Sequence, residues 1–212
     1  MGQGDARMAD QPQKIGLMGG TFDPIHMGHL VMAEAVRMDY DLTKVIFIPT
    51  GTSPHKQGMP VTPALDRYIM TMMATYSNPY FFVSPIERDR PGPSFTIDTV
   101  RALIAQYGAG TEFYFLTGTD TVLELHTWNN IGELLELCHF VAASRPGKTT
   151  SIAEAIKRLG PKAKERIHRL TTPELEISST DIRERVRLGK SIRYFVPENV
   201  EHYIHKEGLY LK

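Results

Sequence analysis

The chain has 212 residues, of which 42% are hydrophobic and 23% are charged, a composition that excludes a disordered or fibrous protein. This length predicts one packed domain over residues 14–212, preceded by a disordered tail at residues 1–13. Lys plus Arg and Asp plus Glu each total 24, so no overall positive field attracts nucleic acid or an anionic membrane, and any anion site must be local.

Short apolar segments alternate with helical stretches along the chain. Helix signals include HLVMAEAVRM after the first apolar segment, Thr62 as a cap with Pro63 as the first helical residue, and Ser151 with Glu154 as a capping box. The alternation predicts a Rossmann-like open parallel sheet with helices on both faces, whose ligands lie beyond the carboxyl ends of the strands. The segments expected to be buried parallel strands are 14–20, 44–50, 80–86, 112–118 and 139–144.

The end of the chain departs from this alternation. After Arg166 the pattern loosens, and we expect a helix from about Ser179 to Leu188 and a final amphipathic segment, a small C-terminal helical extension of the domain. Residues 51–60 are predicted to form a mobile surface loop over the mouth of the sheet. Cys138 is the only cysteine, which excludes an intrachain disulfide. It lies in an apolar run, so we expect a buried, inert thiol.

Targeting signals are not apparent in the sequence. The first 13 residues lack the apolar core of a signal peptide, and no later run approaches the ~20 apolar residues that a spanning helix needs. With the cysteine content, this predicts a cytoplasmic protein without membrane contact. The oligomeric state stays open, a homodimer included.

The segment GGTFDPIHMGHL, residues 19–30, lies where the first strand gives way to a helix. Gly19 and Gly20 allow a tight turn and close approach to a ligand, and the helix that follows offers unpaired N–H groups to an anion. The spacing is neither GxGxxG nor a P-loop. The later Gly-Lys-Thr is also rejected as a P-loop, since Ala142 stands where the motif needs glycine, but Arg145 beside it is a candidate nucleotide contact.

Two histidines in this segment indicate its chemistry. His26 and His29 are three residues apart at a helix start and share one face, with Gly28 between them leaving space for a ligand. Binding a metal would need a third ligand, and no HExxH or CxxC pattern accompanies the pair. We therefore expect both imidazoles to contact substrate. By contrast, His202 and His205 follow no anion-binding turn and are expected on a solvated surface.

A second candidate phosphate site lies at EISSTDIRERVR, residues 176–187. Ser178, Ser179 and Thr180 place hydroxyls at a helix start, where the N–H groups and the helix dipole favour negative charge. Arg183 projects from the first turn and suits a β,γ-phosphate pair. Simple N-capping is the alternative, because Ser178 and Asp181 have the spacing of a capping box.

Together, GGTFDPIHMGH and ISSTDIR resemble the paired signatures of the HxGH nucleotidyltransferase superfamily, whose members transfer AMP or CMP from a nucleoside triphosphate to a phosphate-bearing acceptor. Both motifs match fully and in order. The chain is further similar to the bacterial nicotinate-nucleotide adenylyltransferases at PHK (54–56), SFTIDTV (94–100), GTDTVLELHTW (118–128) and SRPG (144–147). The resemblance runs from about Lys14 to Lys212. It implies the nucleotidyltransferase fold and transfer of AMP from ATP to nicotinate mononucleotide, giving deamido-NAD.

The resemblance also implies roles for individual residues. His26, His29 and Arg183 would be catalytic, binding phosphates and stabilising the charge of the transition state, with Mg²⁺ arriving on ATP rather than in a protein cage. The ring of Trp128 would stack on the pyridine, and Thr96 lies in the segment that receives the nicotinate carboxylate. The other implied ATP contacts are Gly19, Gly20, Thr21, Phe22, Gly28, Arg145, Ser178, Ser179 and Thr180. The other implied acceptor contacts are His55, Lys56, Asp98 and Asp120.

Several alternatives stay open at this point. A sister adenylyltransferase would act on nicotinamide mononucleotide or phosphopantetheine, although Trp128 and the TIDT segment favour a pyridine acid. A non-catalytic sensor would hold ATP without turnover, although both phosphate motifs are intact. A class I aminoacyl-tRNA synthetase would require a KMSKS loop and a basic RNA surface, which the sequence lacks. Trp128 could instead anchor the core, and Lys56 could be a solvated cation.

Overall fold

A computed structural model describes residues 12–53, 58, 60–144, 152–172 and 175–211 of the chain. The candidate contacts His55, Lys56 and Arg145 lie outside the described residues, as do Ser151 and residues 1–11 of the expected tail.

Six strands form one parallel sheet in the order β3-β2-β1-β4-β5-β6. The strands are β1 Lys14–Gly20, β2 Lys44–Pro49, β3 Phe81–Val83, β4 Glu112–Gly118, β5 Cys138–Ser144 and β6 Ile167–Thr171. The first and fourth have the predicted bounds, the second and fifth are shifted by one residue at one end, and the third is shorter than predicted. Strand β1 pairs with β2 on one side and β4 on the other, so it lies at the centre of the sheet.

Helices cover both faces of the sheet, as the alternation predicted. Helices α1, α2, α8 and α9 pack on one face, and α3 to α7 contribute to a second apolar core on the other. The helices are α1 Met27–Asp39, α2 Ala64–Thr75, α3 Thr96–Tyr107, α4 Thr119–Glu124, α5 Ile131–Leu137, α6 Ala153–Leu159, α7 Pro161–Arg166, α8 Ser179–Arg187 and α9 Glu198–Lys206. No helix in these described ranges is long and apolar enough to cross a membrane.

Strand β6 is a difference from the sequence prediction, which expected no strand after Arg166. Ile167 is buried, but Arg169 and Thr171 are exposed and His168 is only partly covered. Strand β6 ends the sheet order, so it carries polar side chains and lacks the continuous apolar run by which buried parallel strands are detected. The start of α2 is also one residue later than predicted, because Pro63 is its N-cap and Ala64 its first residue.

The predicted C-terminal helices pack directly into the core. Ile182 and Val186 of α8, with Val200 and Ile204 of α9, are at most 4% exposed and belong to the same apolar cluster as Met18 of β1. Packing of this kind fixes α8 relative to the central strand. A polar motif at the start of α8 is therefore held at a defined place over the sheet.

The strand order also locates a ligand site. The chain moves outward from β1 to β2 and β3, then returns to the other side of β1 with β4. In open α/β sheets, ligands bind at such a reversal, outside the carboxyl ends of the strands. Here those ends are Gly20 of β1 and Gly118 of β4.

Candidate active site

The turn between β1 and α1 is anchored by an aromatic side chain. Phe22 is 2% exposed, and its ring packs edge-on against His29 at a centroid distance of 5.0 Å. Its backbone has φ 49°, an unusual left-handed conformation for a bulky residue. Because the ring is buried in the core, only the backbone of Phe22 is placed to contact a ligand.

His26 and His29 are in direct contact. The amide N–H of His26 donates to Nδ1 of His29 at 3.2 Å, and the two ring centroids are 3.7 Å apart. An Nδ1 that accepts a hydrogen bond carries no proton, so neutral His29 is protonated at Nε2. The sequence prediction that the two imidazoles share one site is supported by this geometry.

Burial keeps both imidazoles uncharged in the ligand-free protein. It lowers the pKa of His26 to about 4. Burial also lowers the pKa of His29 well below its usual value, and His26 adds to that effect. At neutral pH the pair therefore offers neutral N–H donors rather than two positive charges.

Gly28 packs closely against the ring of His26. A Cβ at this position would lie 3.1 Å from Nδ1 and 3.2 Å from Cε1 of His26. A side chain here would therefore require the His26 ring to move by a few tenths of an ångström. The role expected from the sequence, in which Gly28 leaves room for a ligand, stays a prediction.

The start of α8 packs on the turn between β1 and α1, which carries His26 and His29 and is called the histidine turn below. Two long-range hydrogen bonds hold it there. Arg183 Nη1 donates to the carbonyl of Asp23 at 2.8 Å, and Ser179 Oγ donates to the carbonyl of Pro24 at 2.8 Å. The two motifs, about 155 residues apart in the chain, thus form one structure. Arg183 also donates to Thr180 Oγ1 at 3.3 Å, and Thr180 is exposed.

Ser178 has the structural role that the sequence left as an alternative. Its Oγ accepts the amide N–H of Asp181 at 3.1 Å and caps α8. The capping interpretation therefore holds for Ser178, whereas Ser179 and Arg183 bind the turn.

Arg67 is a buried cation that sequence reasoning missed. It is 2% exposed, and its guanidinium donates to the carbonyls of Thr21, Gly51 and Thr62 at 2.7, 3.2 and 2.8 Å. These carbonyls belong to the histidine turn and to both ends of the segment that joins β2 to α2. An arginine within an amphipathic helix gives no sequence signal for such contacts.

A cavity of about 490 Å³ opens at the carboxyl ends of β1 and β4, beside the turn. Of the predicted contacts, it is lined by Gly19, Gly20, Thr21, Thr96 and Trp128. The lining residues not predicted from sequence include Glu87, Ser94, Thr99, Thr117 and Asn129.

The two predicted aspartate contacts are not part of this lining. Asp98 lies 3.5 Å from Arg101 in an ion pair on α3, and Asp120 is exposed on α4. The family resemblance implied that both contact the acceptor, whereas neighbouring threonines line the cavity wall.

Trp128 belongs both to the core and to the cavity. Its ring packs edge-on against Phe115 at 5.6 Å and against Phe140 at 6.1 Å, while the residue stays partly exposed and lines the cavity. Core anchoring and a ligand-facing surface therefore coexist in this side chain.

Glu87 is a buried carboxylate in the cavity wall. It is 7% exposed and accepts a hydrogen bond from Thr99 Oγ1 at 2.8 Å, with Arg90 3.9 Å away. Burial raises its pKa above the ordinary value, although Thr99 and Arg90 oppose that shift. The backbone beside it is also close-packed, because a Cβ at Gly51 would collide with the carbonyl of Glu87.

A protein cage for a metal ion was not found in the part of the chain that the structure describes, where no three His, Cys, Asp or Glu side chains group suitably. Both carboxylate oxygens of Asp23, beside the histidines, already accept hydrogen bonds.

Comparison with known proteins places this arrangement among nucleotide-transferring enzymes. Residues 17–185 match the family model described as cytidylyltransferase-like. The probable nicotinate-nucleotide adenylyltransferase of Moorella thermoacetica is 51% identical over 96% of this chain and 94% of its own length. The corresponding protein of a Thermoanaerobacter species is 52% identical over 94% of this chain and 95% of its own length.

Solved structures share the fold. The nicotinic acid mononucleotide adenylyltransferase of Plasmodium falciparum complexed with NaAD superposes with a TM-score of 0.76. The superposition covers 93% of this chain and 97% of the Plasmodium chain, and the two sequences are 20% identical. The same Plasmodium enzyme complexed with APC superposes with a TM-score of 0.70.

Proposed function

The chain belongs to the nicotinate-nucleotide adenylyltransferases of the cytidylyltransferase-like family, and we propose on that premise that it transfers AMP from ATP to nicotinate mononucleotide. The products are deamido-NAD and pyrophosphate, so the reaction belongs to NAD biosynthesis. The observation that carries the proposal is the docking of Arg183 and Ser179 on the turn that holds His26 and His29, beside a cavity with Trp128 in its wall.

The reaction makes limited demands on the protein. The phosphate of the acceptor is an anionic nucleophile at neutral pH, so no general base is needed. Its oxygen forms a bond to the α-phosphorus of ATP, and the bond from that phosphorus to the bridging oxygen breaks. Pyrophosphate leaves with the electron pair. The protein has to hold the two phosphates in line and stabilise the charge that gathers on their oxygens.

The histidine pair is suited to this stabilisation. Nδ1 of His29 accepts the amide N–H of His26, so Nε2–H of His29 can donate to a phosphate oxygen. Because the pair is buried and prearranged, its hydrogen bonds form in a poorly solvated site without reorganisation during the reaction. A bound phosphate would also raise the lowered pKa of both rings and favour their protonation as negative charge develops.

The start of α8 is suited to the leaving group. One guanidinium nitrogen of Arg183 donates to the carbonyl of Asp23, and the guanidinium has further N–H groups for a ligand. Thr180 is exposed at the first turn of the same helix. With the positive end of the helix dipole, these groups would hold the β- and γ-phosphates of ATP. Ser179 supports them indirectly, because its hydroxyl is already donated to Pro24.

The cavity is suited to the acceptor. The partly exposed ring of Trp128 provides a surface for stacking the pyridine, and Thr96 lies at the first turn of α3, where N–H groups favour a carboxylate. Ser94 Oγ is buried in the same wall beside the Glu87 carboxylate, to which it donates a hydrogen bond that lowers the pKa of Glu87. The roles of His55 and Lys56 at the acceptor phosphate, of Asp98 and Asp120 at ribose hydroxyls, and of Arg145 at ATP rest on the family resemblance.

Mg²⁺ would enter with ATP. The site fits such an ion better than a resident metal, because the described residues include no group of three or more metal-binding side chains. The ion would neutralise phosphate charge when bound. The proposed function implies two small-molecule substrates as binding partners, ATP and nicotinate mononucleotide.

The test is a chromatographic assay of the purified full chain with ATP, Mg²⁺ and nicotinate mononucleotide. Deamido-NAD and pyrophosphate should form in equal amounts. The matched control is the His26→Ala/His29→Ala variant, which should form neither at a comparable rate. ATP binding without any dinucleotide would instead support a nucleotide sensor.

A further inference from the structure

Tyr210, close to the end of the chain, contacts the active-site turn. It follows α9, and its hydroxyl donates to Oδ1 of Asp23 at 2.8 Å, across 187 residues of sequence. Burial and the adjacent Asp23 raise the pKa of Tyr210, so the hydroxyl stays protonated and acts as a donor. The acceptor, Asp23, is 4% exposed and lies three residues before His26.

Asp23 is the point where three distant segments meet. Its Oδ1 accepts from Tyr210, its Oδ2 accepts from the amide of Thr62 at 3.3 Å, and its backbone carbonyl accepts from Arg183 at 2.8 Å. All four residues line one cavity of about 470 Å³ on the outer side of the turn. The side chain and the backbone of one residue are thus held by the C-terminal segment, by α8 and by the approach to α2.

We propose that Tyr210 is a positioning residue for adenylyl transfer. Its hydroxyl fixes the carboxylate of Asp23, and through Asp23 it fixes the peptide that Arg183 holds. The histidine turn and Arg183 then keep a common geometry around the phosphates of ATP. This inference rests on the proposed function, and it assigns a role in that function to the C-terminal segment.

The physical reason is the sensitivity of transfer reactions to alignment. Removing the Tyr210 hydroxyl leaves a nearly buried carboxylate oxygen without its donor, and the turn must shift or admit water to satisfy it. In enzymes generally, a displacement of about 1 Å at a group that positions a substrate can reduce the rate about 100-fold. The nicotinate pocket is lined by other residues and should be little affected.

The chain offers a matched control for this test. Tyr203 on α9 also donates its hydroxyl to a carboxylate, Oδ1 of Asp66, at 2.8 Å. Tyr210→Phe and Tyr203→Phe each remove one tyrosine-to-aspartate hydrogen bond from the C-terminal region, but only the first touches the histidine turn. Both variants should show a similar fall in melting temperature.

The expected results separate positioning from stability. Tyr210→Phe should lower kcat at least tenfold and weaken ATP binding, measured by calorimetry without acceptor, by about fivefold. The KM for nicotinate mononucleotide should stay within twofold. Tyr203→Phe should leave all three quantities within twofold. Equal losses in the two variants, or kcat and ATP affinity within twofold in Tyr210→Phe, would overturn the proposal.

A second variant approaches the contact from the other side. Asp23→Asn keeps an acceptor for Tyr210 but faces the Thr62 amide with a donor, so it should also lower kcat and ATP affinity. If the two residues act as one unit, the double variant should be scarcely worse than the poorer single one, whereas fully multiplied losses would contradict the proposal. Should Tyr210→Phe not fold, Asp23→Asn alone tests the proposal, and a normal kcat in Asp23→Asn overturns it.

The positioning role and the proposed function can fail separately. If the wild-type protein binds ATP but forms no dinucleotide, the proposed function fails, and the ATP affinity of the variants still tests the positioning role.

Discussion

The amide of His26 donates its proton to Nδ1 of His29 at 3.2 Å, so the backbone of one histidine sets the tautomer of the other. This bond leaves Nε2–H of His29 as the donor of the ring. The bond joins the N-cap residue of α1 to its N3 residue, three positions on. In the proposed function, the arrangement would present neutral N–H donors to an incoming phosphate.

Replacing His29 tests this role directly. His29→Ala should lower turnover at least 100-fold with the fold intact, because a transition-state donor of this kind contributes ~3 kcal/mol. The measurement is steady-state kinetics with circular dichroism of the same sample. His202→Ala, at an exposed histidine of α9, is the control and should be normal. Near-normal turnover in a folded His29→Ala protein would refute the role.

The contribution of Arg183 to ATP binding should depend on the shape of its guanidinium. Lysine keeps the charge but lacks the planar fork that can bind the Asp23 carbonyl and a phosphate together. Arg183→Lys should therefore lower kcat/KM for ATP about tenfold, the loss of one charged hydrogen bond. Arg187→Lys on the same helix alters an exposed ion pair with Glu184 and makes no contact with the histidine turn, so it should change little. Equal effects in the two variants would argue against a phosphate role for Arg183.

Replacing Trp128 should weaken binding of the acceptor more than binding of ATP. Trp128→Ala removes the stacking surface and should raise the KM for nicotinate mononucleotide roughly fivefold to tenfold, since aromatic stacking contributes ~1 kcal/mol or more. Trp128→Phe, which retains an aromatic ring beside Phe115, should recover most of that loss. Initial rates at varied acceptor concentration give both values. An unchanged acceptor KM with a lost thermal transition would make Trp128 only a core residue.

Arg67 should be important for stability. Arg67→Met leaves three carbonyls without their donor, and at ~1 kcal/mol for each lost hydrogen bond the free energy of unfolding should fall by about 2–4 kcal/mol. Urea denaturation measures this. The control is Arg101→Met, whose exposed pair with Glu133 should contribute about 1 kcal/mol or less. Similar losses in both variants would show that the buried contacts add little.

Stability should fall in mild acid because of the buried histidines. The pKa of His26 is about 4 in the folded protein, against 6.5 for an ordinary histidine, so the unfolded chain binds more protons between these values. The contribution is complete above pH 6.5 and is lost as the pH falls towards 4, by roughly 3 kcal/mol for His26. Urea denaturation between pH 7 and pH 4 should show this decline, and His26→Asn should reduce its slope. A flat profile for the wild type would contradict the burial effect.

The parts of the fold that the sequence predicted are those written in local patterns. Strands β1 and β4 are continuous apolar runs because they are covered by helices on both faces, and their bounds were predicted correctly. Strand β6 was missed because an edge strand with Arg169 exposed has no such run. The histidine pair was also predictable, since His26 and His29 lie on one face of one helix start.

The contacts that hold the site together were not predictable in this way. Arg67 binds backbone carbonyls, which have no sequence signature, and the partners Asp23 and Tyr210 are 187 residues apart. That α8 meets the histidine turn followed from the resemblance of the two motifs to a family, not from their spacing. The hydrogen bonds of Ser179 and Arg183 supply the physical reason for that meeting.

The most direct test of the central claim offers two acceptors to the purified protein in separate reactions with ATP and Mg²⁺, one being nicotinate mononucleotide and the other nicotinamide mononucleotide. Deamido-NAD should form much faster than NAD, with one pyrophosphate released for each dinucleotide. Faster formation of NAD, or no dinucleotide from either acceptor, would contradict adenylyl transfer to the pyridine acid.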